Sequence, residues 1–207
     1  IAEADNPELF NEASPFINEE TYGSGFGMEA VWDSRDNFFY PYSGSQVQLI
    51  VIGYHKYFGS AGNFWRLEFD SRFFFRIIGK HVFALQYYMI MTGGDVPFQL
   101  MGKLGGMNTM RGYYEGRYID QNYYTLQGEY RFPLFWRLSG VLFCGIGLVS
   151  PRVREIDFDY LRVSWGGGLR LAVQQERMIN LRLDVAVNDV RFGEDDYGVY
   201  FSVTEAF

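Results

Sequence analysis

The sequence predicts an all-β protein, an antiparallel transmembrane β-barrel with about eight to ten strands visible. Three observations predict it. Apolar and polar residues alternate with period two over segment after segment. Those segments run to roughly ten residues or a little more, the length a tilted strand needs to cross a bilayer. Short and long connections then alternate between them, as turns and loops do at the two rims of an outer-membrane barrel.

The first candidate strand is Phe26 to Arg35 and the second covers 45–58. From Phe64 to Ile77 the alternation is close to strict: Trp65, Leu67, Phe69, Phe73 and Phe75 share one face, and Arg66, Glu68, Asp70, Arg72 and Arg76 the other. Segments 81–92, 122–134 and 138–149 follow. From Leu161 to Val173, Leu161, Val163, Trp165, Leu169, Leu171 and Val173 oppose Arg162, Ser164, Gly166, Gly168 and Arg170. Ile179 to Val187 sets Leu181, Leu183 and Val185 against Arg182 and Asp184, and 197–207 is the ninth segment. Gly79-Lys80, Phe135–Arg137 and Gln175–Arg177 are short connections; Phe58–Asn63, Gly93–Gln121, Ser150–Tyr160 and Asn188–Tyr197 are long and polar. Asp36–Gly44 alone is too long for its place in that alternation. The 93–121 stretch carries no strand pattern.

One strand alone would suit a soluble β-sandwich equally well. Polar faces this rich in arginine and carboxylate suit a closed lumen better than an open surface. Rings at strand ends, such as Phe38, Phe39, Tyr40 and Tyr42 or Phe135 and Trp136, fit interfacial girdles. Aromatics reach 19% while mean hydropathy is only -0.13, which alternation explains. No apolar run reaches the roughly 18 residues of a membrane helix; the longest, Leu138 to Pro151, lies between Arg137 and Arg152. A net charge of -7 with no basic cluster excludes nucleic acid as a partner. The N-terminus has no basic region followed by an apolar one, so any signal peptide is expected to have been removed. Residues 1–22, with Pro7, Pro15 and several acids, are expected to be an N-terminal extension, a lumen plug or linker, ahead of a barrel over 23–207.

Three motifs stand in order along this frame. Trp32-Asp33-Ser34-Arg35-Asp36-Asn37, with Pro41 and Gly44, closes the first strand. Gly105-Gly106 precedes Met110-Arg111-Gly112-Tyr113 in the long connection. Gln127-Gly128-Glu129-Tyr130-Arg131-Phe132-Pro133 lies on the following strand. Together they resemble the BamA/TamA-type superfamily of outer-membrane assembly and secretion barrels: the strand-end motif (Asp33, Arg35, Asp36), the loop motif that folds back into the lumen (Arg111, Gly112, Tyr113) and the lumen carboxylate Glu129. A fourth segment, Asp196-x-Gly198-x-x-Phe201-x-Val203 ending in Phe207, resembles the C-terminal β-signal of such barrels. The pattern departs from the family at Phe143-Cys144-Gly145-Ile146-Gly147, where Gly145 takes the place of a second acid for the loop arginine; Asp184, inward on a nearby strand, is the candidate substitute. Family barrels typically have sixteen strands, so the chain corresponds to a compact relative, one part of a larger barrel or a fragment.

A guanidinium in a lumen of lowered dielectric needs an acid. Glu129, on the inward parity beside Gln127 and Arg131, is the first candidate and can bind it bidentately. The loop is therefore expected to be a lid pinned inside the barrel; the competing expectation is a solvated extracellular hairpin. The resemblance implies insertion, assembly or translocation of proteins at the bacterial outer membrane. Implied partners are outer-membrane lipids (lipopolysaccharide and phospholipid), other proteins of an envelope complex, and client barrels or secreted proteins. A structural or interaction barrel is the second reading, favoured by Gly145, and a lipid-modifying enzyme the third. The enzyme reading is weak, because His55 and His81 sit with no placeable serine and acid. No catalytic residue, metal or cofactor is expected: Glu194, Asp195, Asp196, Asp157 and Asp159 match no calcium-loop spacing. Cys144 is expected to face lipid, and Gly166-Gly167-Gly168 to mark a bend or close packing within a strand.

Overall fold

The computed structural model describes residues 22–174, 179–189, 197–203 and 205–207. The expectations for residues 1–21, for the turn at 175–177 and for the Glu194–Asp196 acids lie outside the described residues. In chain order the strands are β1 Gly25–Asp33, β2 Gly44–Tyr54, β3 Phe64–Ile78, β4 His81–Gly94, β5 Gly102–Leu104, β6 Tyr118–Asp120, β7 Asn122–Phe135, β8 Leu138–Ser150, β9 Arg162–Gln174, β10 Ile179–Asn188 and β11 Tyr197–Ser202. Nine of them form one sheet in the order β1-β2-β3-β4-β7-β8-β9-β10-β11, every neighbour antiparallel. The sheet is not closed: β1 and β11 are its edges among the described residues.

All nine segments of the predicted alternation are strands. They form because β-branched and aromatic residues at every second position pack side by side on a pleated surface. The burial pattern is the inverse of a soluble core. On the outward face Leu142, Trp165, Leu183 and Val185 are exposed, whereas Arg131, Arg170 and Arg182 on the inward face are buried. Such an arrangement is stable only where the outward face meets hydrocarbon and the inward charges are paired. No helix among the described residues is long and apolar enough to cross a membrane.

Strand ends shift by one or two residues from the sequence expectation, as in β1, which ends at Asp33 rather than Arg35, and three differences are larger. The second strand stops at Tyr54 rather than 58, because His55 caps a single helical turn, Lys56–Phe58, by accepting the Tyr57 N–H on Nδ1. The 93–121 connection contains a small hairpin, β5 with β6, each strand only three residues long and so invisible to any periodicity. The ninth strand ends at Ser202 rather than Phe207. Beyond it Glu205, Ala206 and Phe207 turn onto the inner face and are buried. Glu205 finds Arg170 and Asn180 there, and Ala206 and Phe207 pack with Phe74, Val82 and Ala84.

The long 34–43 connection, the exception to the alternation, is held by its own side chains. Asp36 accepts the N–H groups of Tyr42 (2.8 Å) and Ser43 (3.2 Å), the Ser43 hydroxyl and an Arg76 N–H from β3. Partial burial alone would push the Asp36 carboxyl up, but these donors outweigh it and hold it below its ordinary 3.8. A carboxyl whose folded pKa is depressed stabilises the fold fully above its unfolded value, and that stabilisation is lost as pH falls through the folded value. Pepsin cleavage at Phe38-Phe39, normalised to a free peptide of the same sequence, is therefore expected to quicken as pH drops below 3.8. Asp36→Asn should be cleaved quickly across the whole acid range and lose that pH dependence.

Candidate functional site

The β4–β7 connection lies back across the inner face of the sheet. Thr92 Oγ1 donates to the Gln121 carbonyl (2.7 Å) at its root, and Arg66 Nη1 donates to the Leu100 carbonyl (3.1 Å) along its path. At its tip Met110 adopts φ 50, and its N–H donates to Gln127 Oε1 on β7. Gln127 Nε2 donates in turn to the Asn108 carbonyl at 2.7 Å. Leu104, Met110, Tyr113 and Tyr123 are buried together there with Ile90.

Arg111 is 1% exposed and bridges two strands. Its Nη2 donates to Glu129 Oε2 on β7 at 2.8 Å and its Nη1 to Asp184 Oδ2 on β10 at 2.6 Å. Its guanidinium carbon stands 3.5 Å from the centre of the Phe143 ring, a cation–π contact from β8. The loop tip is thus buried against β7, β8 and β10. Gly145, the departure from the family pattern, faces the lid directly: a Cβ there would lie 3.2 Å from both Met110 Sδ and Gln127 Cβ. An acidic side chain there would force Met110 and Gln127 to shift, and Asp184 supplies the charge from two strands along.

The two acids are shared. Arg131 Nε donates to Glu129 Oε1 (2.7 Å), and its Nη2 to the main-chain oxygen of Phe207 (2.9 Å). Arg170 Nη1 donates to Asp184 Oδ1 (2.5 Å), and its Nε to Glu205 Oε2 (2.6 Å). Arg182 Nε lies 2.9 Å from Asp184 Oδ2, and its Nη2 donates to the Met107 carbonyl of the lid. Four buried guanidiniums therefore face three buried carboxylates, and one network ties the lid to β7, β9, β10 and the 205–207 tail. Removing one member strands charge in a low dielectric, so each contact locks its neighbours.

Gly112 and Tyr113 complete the dock. The Gly112 N–H donates to the Tyr200 hydroxyl on β11 at 2.8 Å. Its φ of +107 suits glycine alone, and a Cβ would lie 2.9 Å from the Val187 carbonyl group. Tyr113, 2% exposed, donates its hydroxyl to the Val163 carbonyl and accepts from the Asp189 N–H. Gly112→Ala is expected to cost about 1–3 kcal/mol through backbone strain. It should make trypsin cut after Arg117 sooner than in the parent protein, while strand content by circular dichroism stays the same.

Not every predicted site residue joins this network. Asp33 and Arg35 pair with each other at the far rim, Nη2 to Oδ2 at 2.6 Å, with Phe38 over the guanidinium. With Asp36 they shape the 34–43 connection and do not touch the lid. Gly198, Phe201 and Val203 lie along and just past β11; Phe201 and Val203 are exposed on the outward side, and Phe207 is buried inside. Sequence reasoning named Arg131 and Arg170 as inward but assigned them no role, and it missed Phe143, Tyr200 and Glu205 as members of the site. Inward parity marks Tyr200, but no local spacing shows that the tail reverses so that Glu205 meets Arg170. Cys144 is exposed on the outward face, as its parity predicts. Among the described residues no cluster of acids, histidines and cysteine is arranged to hold a metal ion.

An antiparallel sheet with its apolar side outward, its arginines inward and a long loop docked across the inward side defines an outer-membrane type β-barrel protein. A family model described as the Omp85 superfamily domain matches residues 18–207, and the chain belongs to that superfamily. The fold is similar to the crystal structure of BamA from Haemophilus ducreyi lacking POTRA domains 1-3, with a TM-score of 0.69 at 14% sequence identity. That match covers 87% of this chain and 42% of the BamA chain, so the chain spans less than half the length of that relative. No curated protein matches the sequence.

Proposed function

We propose that this chain forms the lid-bearing part of an outer-membrane barrel that inserts, assembles or translocates other proteins, working beside protein partners within an envelope complex. The observation that carries this reading is the Arg111 bridge between Glu129 and Asp184, which fixes a loop across the inward side of the sheet. The clamp holds the loop tip to β7 and β10 together, since removing either partner would leave buried charge unpaired. The bilayer, lipopolysaccharide outside and phospholipid inside, covers the apolar outward face.

The sequence feature that favoured a purely structural barrel was Gly145 in place of an acid, and Asp184 offsets it. The chain is read as doing no covalent chemistry. His55 accepts the Tyr57 N–H and His81 shares a hydrogen bond with the Tyr130 hydroxyl at 2.8 Å, so both rings serve local structure. The test is the folding of a model outer-membrane barrel into phospholipid vesicles that contain this chain, extracted with any chains that accompany it. Faster folding than in empty vesicles supports the reading. Folding no faster than in empty vesicles, from a preparation whose own strand content is intact, contradicts it.

A further inference from the structure

The 205–207 tail is held without a strand ladder. Strand β11 has six residues at the edge of the sheet, and its pairing with β10 ends at Arg182–Ser202. Glu205, Ala206 and Phe207 lie beyond that pair and are nonetheless buried on the inner face. Side chains of distant strands hold them, and a segment attached in this way is among the first to leave a fold.

Two relays run from the tail to the lid. In one, Arg131 donates to the Phe207 main-chain oxygen (2.9 Å) and to Glu129 Oε1 (2.7 Å), while Arg111 takes Glu129 Oε2 (2.8 Å). In the other, Arg170 donates to Glu205 (2.6 Å) and to Asp184 Oδ1 (2.5 Å), while Arg111 takes Asp184 Oδ2 (2.6 Å). A third contact is direct, from the Gly112 N–H to the Tyr200 hydroxyl on β11.

Arg170 is poised as a rival to Arg111. Its Nη2 lies 3.4 Å from Asp184 Oδ2 and 3.8 Å from Glu129 Oε2, the same two oxygens that hold Arg111. Glu205 draws it the other way through Nε. Without Glu205, Arg170 would be buried with a surplus charge, and the nearest acceptors to relieve it are those of Arg111.

We propose that the 205–207 tail is a latch on the lid. Seated, it keeps Arg170 off the two oxygens that Arg111 uses; withdrawn, it lets Arg170 take them and the lid comes away. Coupling of this kind is reciprocal, so freeing the lid also loosens the tail. The latch stands whether or not the chain acts on other proteins.

Trypsin cleavage of the full chain in mild detergent, followed at three sites, tests this. Glu205→Gln keeps the shape of the side chain and removes its charge. It is expected to quicken cleavage after Arg117 in the lid by about tenfold or more, the equilibrium weight of one hydrogen bond between charged groups. Cleavage after Lys56 and Arg152, in the β2–β3 and β8–β9 connections, should keep the parent rate. Tyr200→Phe, which removes one hydroxyl and keeps the ring, should act in the same direction, and it carries the comparison if Glu205→Gln does not fold. Val203→Ala, exposed on the outward side, should change none of the three sites. In the reverse direction, Arg111→Ala should speed hydrogen exchange at residues 205–207. Cleavage after Arg117 at the parent rate in both Glu205→Gln and Tyr200→Phe would overturn the latch, because the lid would then hold without the tail. Equal acceleration at all three sites would overturn it too, because the tail would then add only to overall stability.

Discussion

Asp184→Asn is expected to lower the stability of the folded sheet by about 3–5 kcal/mol, the cost of removing one partner from a buried ion network. Asp184 accepts from Arg111 and Arg170 and lies 2.9 Å from Arg182, so three guanidiniums converge on it, as on Glu129. Asparagine keeps the shape and loses the charge. Four buried guanidiniums would then face only Glu129 and Glu205, in a region where water cannot screen them. Urea unfolding followed by tryptophan fluorescence in vesicles measures the loss. A midpoint within error of the parent would show that the network contributes little. Glu29, whose carboxylate accepts a Gln48 N–H at 2.6 Å on an exposed edge, provides the contrast: Glu29→Gln should change stability by less than about 0.5 kcal/mol.

Arg111→Ala removes the only lid residue that pairs with both acids. Its direct cost is expected to fall in the same range of about 3–5 kcal/mol, since Glu129 and Asp184 are left short of one cation. Part of that cost is relieved if the lid lifts and water enters, so the larger signal is in the lid itself. Trypsin cleavage after Arg117 should become much faster, and resistance to unfolding by heat in detergent should fall. Arg111→Lys should recover only part of the loss, because an ammonium cannot span two carboxylates with a planar fork and also stack on Phe143. The double variant Arg111→Ala with Asp184→Asn should cost clearly less than the sum of the two, the mark of groups acting as a unit. Additive losses would mean that the two residues stabilise different things.

Much of the fold was legible in the sequence because a transmembrane strand carries its own signal. Period-two alternation over ten or more residues fixed nine strands and the inward side of each, as with Arg66, Glu68 and Asp70 against Trp65, Leu67 and Phe69. Elements shorter than one full alternation left no such signal, and so β5 and β6 went unseen. The tail was misplaced for another reason. Phe201 and Val203 continue an outward pattern, so the strand was extended to Phe207, whereas Glu205 and Phe207 are held inside by Arg170 and Arg131 from distant strands. A pairing that depends on where two remote segments meet has no local periodicity to betray it.

The candidate site was legible in its chemistry and only partly in its geometry. Arg111, Gly112 and Tyr113 stood out by composition, and the need of a buried guanidinium for an acid led to Glu129 by parity. Asp184 was named as a substitute on parity alone. That Arg111 holds both acids at once, while Arg131 and Arg170 share them, follows from the strand order β7-β8-β9-β10 rather than from any spacing in the chain. The strand-end motif is the converse case: Asp33, Arg35 and Asp36 were legible as a motif, and the structure gives them the job of shaping a rim connection remote from the lid.

Hydrogen exchange over residues 105–117, in the protein embedded in phospholipid membranes, tests the docked lid most directly. The Gly106 N–H donates to the Tyr113 carbonyl, the Tyr113 N–H to the Met110 carbonyl, and the Gly112 N–H to Tyr200. These amides are expected to exchange far more slowly than those of the exposed Lys56–Phe58 turn, and to lose that protection in Arg111→Ala. Exchange over 105–117 as fast as at Lys56–Phe58 in the wild-type protein would contradict the account, because the loop would then be free in solvent and the Arg111 clamp would not hold it.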